Sequence, residues 1–183
     1  PLDPVIVAAR RTPIGTAGHA FKDVTVDALA APVIGAVIRD AAGGLPVDDV
    51  VLGNCMGPGG NVARVSALRA GLGGGVTGVT VDRQCGSGLA AVLVAAQAVR
   101  SGDMDLVVAG GAESASTAPV RAHRGGRPYE RAPFAPEGHP DPDMGEAAEA
   151  LGAACGVSRE RQDEYAAASH AKAVAAREAG RVA

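Results

Sequence analysis

Four short apolar runs, each stopped by glycine or a polar residue and separated by stretches of helical periodicity, constrain this chain most. They are Val5-Ile6-Val7-Ala8-Ala9, Asp49-Val50-Val51-Leu52-Gly53, Val79-Thr80-Val81-Asp82 and Asp105-Leu106-Val107-Val108-Ala109-Gly110-Gly111. Short continuous runs rich in β-branched residues read as strands buried on both faces. Between them, Leu29, Val33 and Val37 recur at helical spacing beside Ala30, Ile34 and Ile38, and a short helix is expected over residues 63–70. The segment from Leu89 to Val99 is apolar almost all round, which predicts a buried helix. The alternation implies an α/β fold with a largely parallel sheet flanked by helices on both faces. Thr25 or Asp27 can cap the first helix, Pro32 predicts a kink or a late start in it, and Gly43-Gly44 would end it.

The 183 residues suffice for one domain or one and a half. Aromatics make up 2% of the chain against 47% hydrophobic residues, so the core must be built from Ala, Val, Leu and Ile. Formal net charge is −3 and the arginines are scattered, which disfavours a nucleic-acid partner. The basic stretch from Arg121 to Arg127 could meet a phosphate, and reads first as a solvated loop. Cys55, Cys85 and Cys155 form no CxxC pair, and an odd count without a secretory segment points to reduced thiols in a cytoplasmic setting. No run is long enough to span a membrane. His19, His123 and His170 lack metal-ligand spacing, so no metal site is expected.

Composition changes after Ser116. Residues 117–143 are rich in Pro, Gly, Arg and Asp, as in a functional loop or lid. Two helical segments follow, Gly145 to Ala154 and a longer one after Ser158, a plausible N-cap, that runs to Ala179 and stops at Gly180. The expected division is a core over residues 1–116 and an incomplete lid over 117–183.

One residue stands out chemically. Cys85 falls between the run ending at Asp82 and the apolar segment that opens Gly86-Ser87-Gly88-Leu89, hence at a strand-to-helix corner. The free N–H groups of a first helical turn favour a thiolate there. Gly86 and Gly88 permit a sharp bend and close approach of a substrate. A nucleophile that holds an acyl group covalently would suit the position. A buried structural cysteine would suit it as well.

The block Val81-Asp82-Arg83-Gln84-Cys85-Gly86-Ser87-Gly88-Leu89-Ala90-Ala91-Val92 resembles the nucleophile motif of thiolases, the acyl-CoA C-acyltransferases. Ala8-Ala9-Arg10-Arg11-Thr12-Pro13-Ile14-Gly15, Gly59-Gly60-Asn61-Val62-Ala63-Arg64 and Gly110-Gly111-Ala112-Glu113-Ser114-Ala115-Ser116 resemble further blocks of that family, in its order. Met144-Gly145 through Glu149 and Ser158 through Asp163 resemble its lid. The resemblance covers essentially the whole chain and implies the N-terminal half of a layered thiolase fold. It further implies Cys85 as the acyl-thioester nucleophile, Gly86 in the nucleophile and oxyanion turn, and Met144 at the substrate. Acyl-CoA and CoA would be the substrates, with no separate cofactor, and the complete enzyme would be a homodimer or homotetramer.

The family's activating His, second Cys and oxyanion Asn belong to its C-terminal half, outside these 183 residues. Glu137-Gly138-His139-Pro140 contains the Gly-His-Pro of that half but sits among Pro, Asp and Glu, so the role is not transferred to His139. Asp143 precedes Met144 where relatives often carry a His. Cys55 and Cys155 match no catalytic motif and read as packing residues, and Glu113 reads as a brace for nearby loops. Arg83-Gln84 leans toward the degradative type of thiolase, while Cys85-Gly86-Ser87-Gly88 is shared with the biosynthetic one, and acyl chain length stays open. Two other readings stay open: a non-catalytic thiolase-like partner or truncated fragment, and a β-ketoacyl synthase relative, whose motif fits less well.

Overall fold

The computed structural model describes residues 3–41, 45–129 and 131–181. Gly43-Gly44, the expected end of the first helix, lies outside the described residues. Two compact units divide between Pro128 and Tyr129.

The first unit is built on a parallel sheet in the order β2-β1-β3, formed by β1 (Asp49–Gly53), β2 (Thr77–Val81) and β3 (Val107–Gly111). β1 is central and every residue of it is buried. Side chains alternate across a strand, so β1 serves two cores at once. Val50 and Leu52 pack with Ala30 and Ile34 of α1 (Val26–Ala41) and with Ala63 and Ala67 of α2 (Val62–Arg69). Val51 faces the other way, onto Ala91 and Ala95 of α3 (Ser87–Ser101). Three layers result, with two helices on one face and one on the other, as the alternating pattern requires. Small alanines on the helices let them lie close to the sheet, and full burial of a valine contributes about 1.5–3 kcal/mol.

Helix boundaries follow local chemistry. Asn61 caps α2 by accepting from Arg64 N at 3.2 Å, and Gly102, in the left-handed region with φ 82°, ends α3. α1 begins at Val26 and runs through Pro32, so the late start does not occur. Burial of Val26, Ala30, Ala31 and Ile34 offsets the hydrogen bond the proline forgoes. Asp27 and Arg69 pair at 2.8 Å between α1 and α2, and Asp27 also bonds the Thr25 side chain, which with the arginine holds its carboxyl below the usual range.

Two expectations are corrected. Val5–Ala9 forms no strand: it is irregular, and Val5, Ile6 and Val7 are exposed. A strand needs a neighbour to supply ladder partners, and none of the described strands pairs with this run. α3 is buried on one side only, through Ser87, Ala90, Ala91 and Ala95. Leu89 and Leu93 are exposed, because among the described residues the sheet covers one face of this helix.

Beyond β3 a short ribbon pairs β4 (Arg121–Ala122) with β5 (Pro128–Tyr129), where only irregular chain was expected. In the second unit, α4 (Met144–Ala154) and α5 (Arg159–Glu178) match the expected helices within a residue or two. Ser158 caps α5 by accepting from Arg161 N, and Gly180 follows its end with φ 65°. Arg131 is paired with Asp141 and lies 5.0 Å over the Phe134 ring. Neither α4 nor α5 has a buried residue.

Two substitutions test this packing. A Cβ on Gly53 would lie 2.4 Å from the Ser87 carbonyl carbon and 2.5 Å from Gly88 N, backbone atoms that cannot rotate away. Gly53→Ala is therefore expected to destabilise the first unit by about 1–3 kcal/mol in denaturant unfolding. Ser66, fully buried in α2, has a hydroxyl without a hydrogen-bond partner among the described residues. Ser66→Ala is expected to raise stability by about 1 kcal/mol, since an unsatisfied buried hydroxyl costs roughly that much.

Candidate active site

The carboxyl ends of the three parallel strands converge. Gly53 O accepts from Ala112 N at 3.1 Å and Asn54 N donates to Val81 O at 3.1 Å, tying the exits of β1, β2 and β3 together. Ligand sites of parallel α/β sheets form beyond this edge, and Cys85 lies there, in the turn between β2 and α3.

That turn is built from its own sequence. Asp82 Oδ1 accepts from Gln84 N at 2.9 Å, a local carboxylate turn. Gln84 then takes φ 49°, the left-handed region that non-glycine residues rarely adopt. The Ser87 hydroxyl accepts from Arg83 N at 2.7 Å and donates to Gln84 O at 2.6 Å, so one side chain spans the turn. Gly86 occupies the N-cap position of α3, and its N–H donates to Arg83 O at 3.0 Å. It could meet an acyl oxygen only by giving up that bond. Cys85 projects from this frame as an exposed thiol, so the buried structural alternative does not apply.

The loop after β1 forms the neighbouring wall. Glu113, just beyond β3, braces it: Oε1 accepts from Asn54 Nδ2 at 2.7 Å and Met56 N at 3.1 Å, and Oε2 from Cys55 N at 2.9 Å. The expected bracing role is thus seen in detail. Arg121 donates to the Cys55 carbonyl. Cys55 is not the plain packing residue its sequence context suggests. Its thiol donates to Gln84 O at 3.0 Å and lies 3.2 Å from Ser87 Oγ, on both flanks of Cys85. Burial pushes the Cys55 thiol up from its ordinary pKa, and the Asp82 and Glu113 carboxylates add to the rise.

Other candidates lie elsewhere. A cavity of about 260 Å³ borders the same Glu113, with Pro13, Ile14, Phe21 and Ser116 in its walls, but Cys85 is not part of it. Met144 is exposed at the start of α4, where Asp143 is the N-cap residue, and belongs to the second unit. His139 belongs to it also, its N–H bonded to Pro136 O at 3.1 Å. Cys155 is exposed at the C-cap of α4. Asn54 and Cys55 were missed as site residues. The available signal was a polar residue directly following a buried strand, on the edge where the turn that carries Cys85 emerges.

Brief, limiting alkylation with iodoacetamide should label Cys85 before Cys155, and Cys55 last. Negative charge on an attacking sulfur is favoured by the amide end of α3 and opposed by the carbonyl end of α4. Cys55 is half-buried with a raised pKa, so its labelling should become appreciable only as the pH is increased. Peptide mapping reads the order, and early labelling of Cys55 in folded protein would contradict this geometry.

A family model described as the thiolase N-terminal domain matches residues 4–183. Among similar proteins is YhfS of Bacillus subtilis, provisionally named an acetyl-CoA C-acetyltransferase. It is 44% identical over 179 residues, which cover 98% of this chain and 46% of YhfS. VraB of Staphylococcus epidermidis, which carries the same provisional activity name, is 43% identical over 176 residues, covering 91% of this chain and 46% of its own. The crystal structure of the Bacillus anthracis acetyl-CoA acetyltransferase superposes with a TM-score of 0.85 at 39% identity, over 96% of this chain and 48% of that one. The chain thus spans about half the length of the relatives it matches. With the family model, the sequence identities and the superposition in agreement, the chain belongs to the thiolase family and corresponds to its N-terminal domain.

Proposed function

We propose that Cys85 is the nucleophile of an acyl-CoA C-acyltransferase. Its sulfur attacks the thioester carbonyl of an acyl-CoA, the carbon–sulfur bond to CoA breaks, and the released CoA thiolate takes up a proton. The acyl group then rests on Cys85 as a new thioester. In the second half-reaction a base removes the α-proton of an acetyl-CoA, and the resulting carbanion attacks the acyl carbon and forms a 3-ketoacyl-CoA. The carbon–sulfur bond to Cys85 breaks with the proton returning to its sulfur, and thiolysis runs the same steps in reverse. Exchange of one sulfur for another keeps the first step near balance, so what the protein must supply is placement and charge stabilisation.

The observation that carries this reading is the exposed Cys85 thiol on a hydrogen-bonded left-handed corner, at the carboxyl edge of a parallel sheet and the start of α3. Gly86 closes the turn. In this reading residues 1–116 carry the nucleophile and residues 117–183 form part of a lid, where Met144 touches the substrate. CoA enters and leaves as substrate and product, with no separate cofactor. The working enzyme is a cytoplasmic homodimer or homotetramer, and no helix among the described residues is long and apolar enough to cross a membrane.

The test uses radiolabelled acetyl-CoA and the complete product of the reading frame. One acetyl group per chain should appear on the peptide containing Cys85 and be absent from Cys85→Ser. Residues 1–183 assayed alone should not cleave acetoacetyl-CoA, because loss of general acid–base help costs about 10²–10⁴-fold. Absence of label from the complete, folded product would favour a thiolase-like partner that contributes surface rather than chemistry.

A further inference from the structure

Gln84 is the only non-glycine residue among those described that holds a positive φ, and it immediately precedes Cys85. Such a conformation persists only where its surroundings enforce it. Three donors converge on the Gln84 carbonyl: the Ser87 hydroxyl at 2.6 Å, Ser87 N at 3.0 Å and the Cys55 thiol at 3.0 Å. The two Ser87 groups belong to the same turn and move with it. Cys55 alone reaches in from another strand exit, and its backbone is anchored on both sides, the N–H to Glu113 Oε2 and the carbonyl to Arg121.

We propose that Cys55 is a positioning residue for Cys85, its thiol holding the Gln84 carbonyl and so the left-handed corner from which the nucleophile projects. This rests on the nucleophile reading above for its catalytic meaning, though not for its geometry. Burial keeps the Cys55 sulfur protonated, which is the state that can donate. A hydroxyl in its place still donates, whereas an isopropyl group fills the same space and cannot. A glycine at position 84 adopts positive φ unaided and would make the tether redundant.

The experiment measures the iodoacetamide rate at Cys85 in the complete product of the reading frame, with exposed Cys155 as internal reference for the reagent and a thermal melt of each variant as the control for folding. Cys55→Val is expected to slow Cys85 about three- to tenfold, in line with loss of one hydrogen bond, and to leave Cys155 unchanged. Cys55→Ser should stay within about twofold of the parent chain. In a Gln84→Gly background, Cys55→Val should have no effect. Cys55→Val at the parent rate, equal slowing by serine and valine, or persistence of the valine effect in the Gln84→Gly background would each overturn the proposal. Acetylation from acetyl-CoA is scored in parallel. Alkylation in the expected order without acetylation removes the acyltransferase reading and leaves the positioning role standing. Normal acetylation with Cys55→Val at the parent alkylation rate does the opposite.

Discussion

Complete burial of β1 is the constraint on which the rest of the first unit depends. A central strand must satisfy both faces, and here five residues do so: Val50 and Leu52 toward α1 and α2, Val51 toward α3, with Asp49 and Gly53 at the ends. The last of them sets the site. Gly53 has no side chain, so the start of α3 comes against the strand backbone, closer than any Cβ would permit. The same glycine's carbonyl accepts from Ala112 N. Strand, helix start and the β3 exit therefore meet within a few ångströms, and the turn that carries Cys85 has a fixed base.

Polar groups then finish what packing begins. A sheet edge leaves backbone N–H groups pointing out of the ladder, and those of Cys55 and Met56 would lack acceptors if nothing were supplied. One carboxylate, Glu113, takes both and also the Asn54 amide. The opposite end of the sheet uses the same device. Asp48 accepts from Asp105 N at 2.7 Å and Leu106 N at 2.9 Å, and these bonds hold its carboxyl below the usual range. Because the folded pKa is depressed, the stability this carboxylate contributes is present above the unfolded pKa and fades as pH falls through the folded one. Each end of the sheet is thus fastened by an acid adjoining a strand, Asp48 before β1 and Glu113 after β3.

Local signals were enough to place β1, the capped helices α2 and α5, and the corner at Cys85, because each is set by residues close in sequence. The Ser158 cap and the Asp82–Gln84 turn need only their neighbours. Val5–Ala9 misled for the converse reason: its composition is that of a strand, but strand formation is decided by a partner. The helix after Cys85 misled similarly, since apolar composition all round says nothing of how many faces are covered. Cys55 was illegible in another way. Its thiol acquires meaning from Gln84, 29 positions away, and its backbone from Glu113, 58 positions away. No local pattern marks such a convergence. Only the parallel register, which puts Gly53 beside Gly111 and Val81, brings these loops together.

Every bond that defines the corner at Cys85 lies within residues 53–121 of the first unit. A left-handed glutamine costs on the order of 1–3 kcal/mol, and that cost can be sustained only on a base that does not relax. The sheet exits and the Glu113 carboxylate provide such a base. The second unit is organised differently: α4 and α5 have no buried residue, and the contacts that order it include helix caps, the Arg131–Asp141 and Arg159–Asp163 pairs and Arg131 over Phe134. Exposed pairs of this kind contribute little individually. The two units are therefore each held together in a different way. In the first unit the tying contacts cluster around Gly53, Cys55, Gln84 and Glu113, whereas among the described residues neither α4 nor α5 has a buried residue.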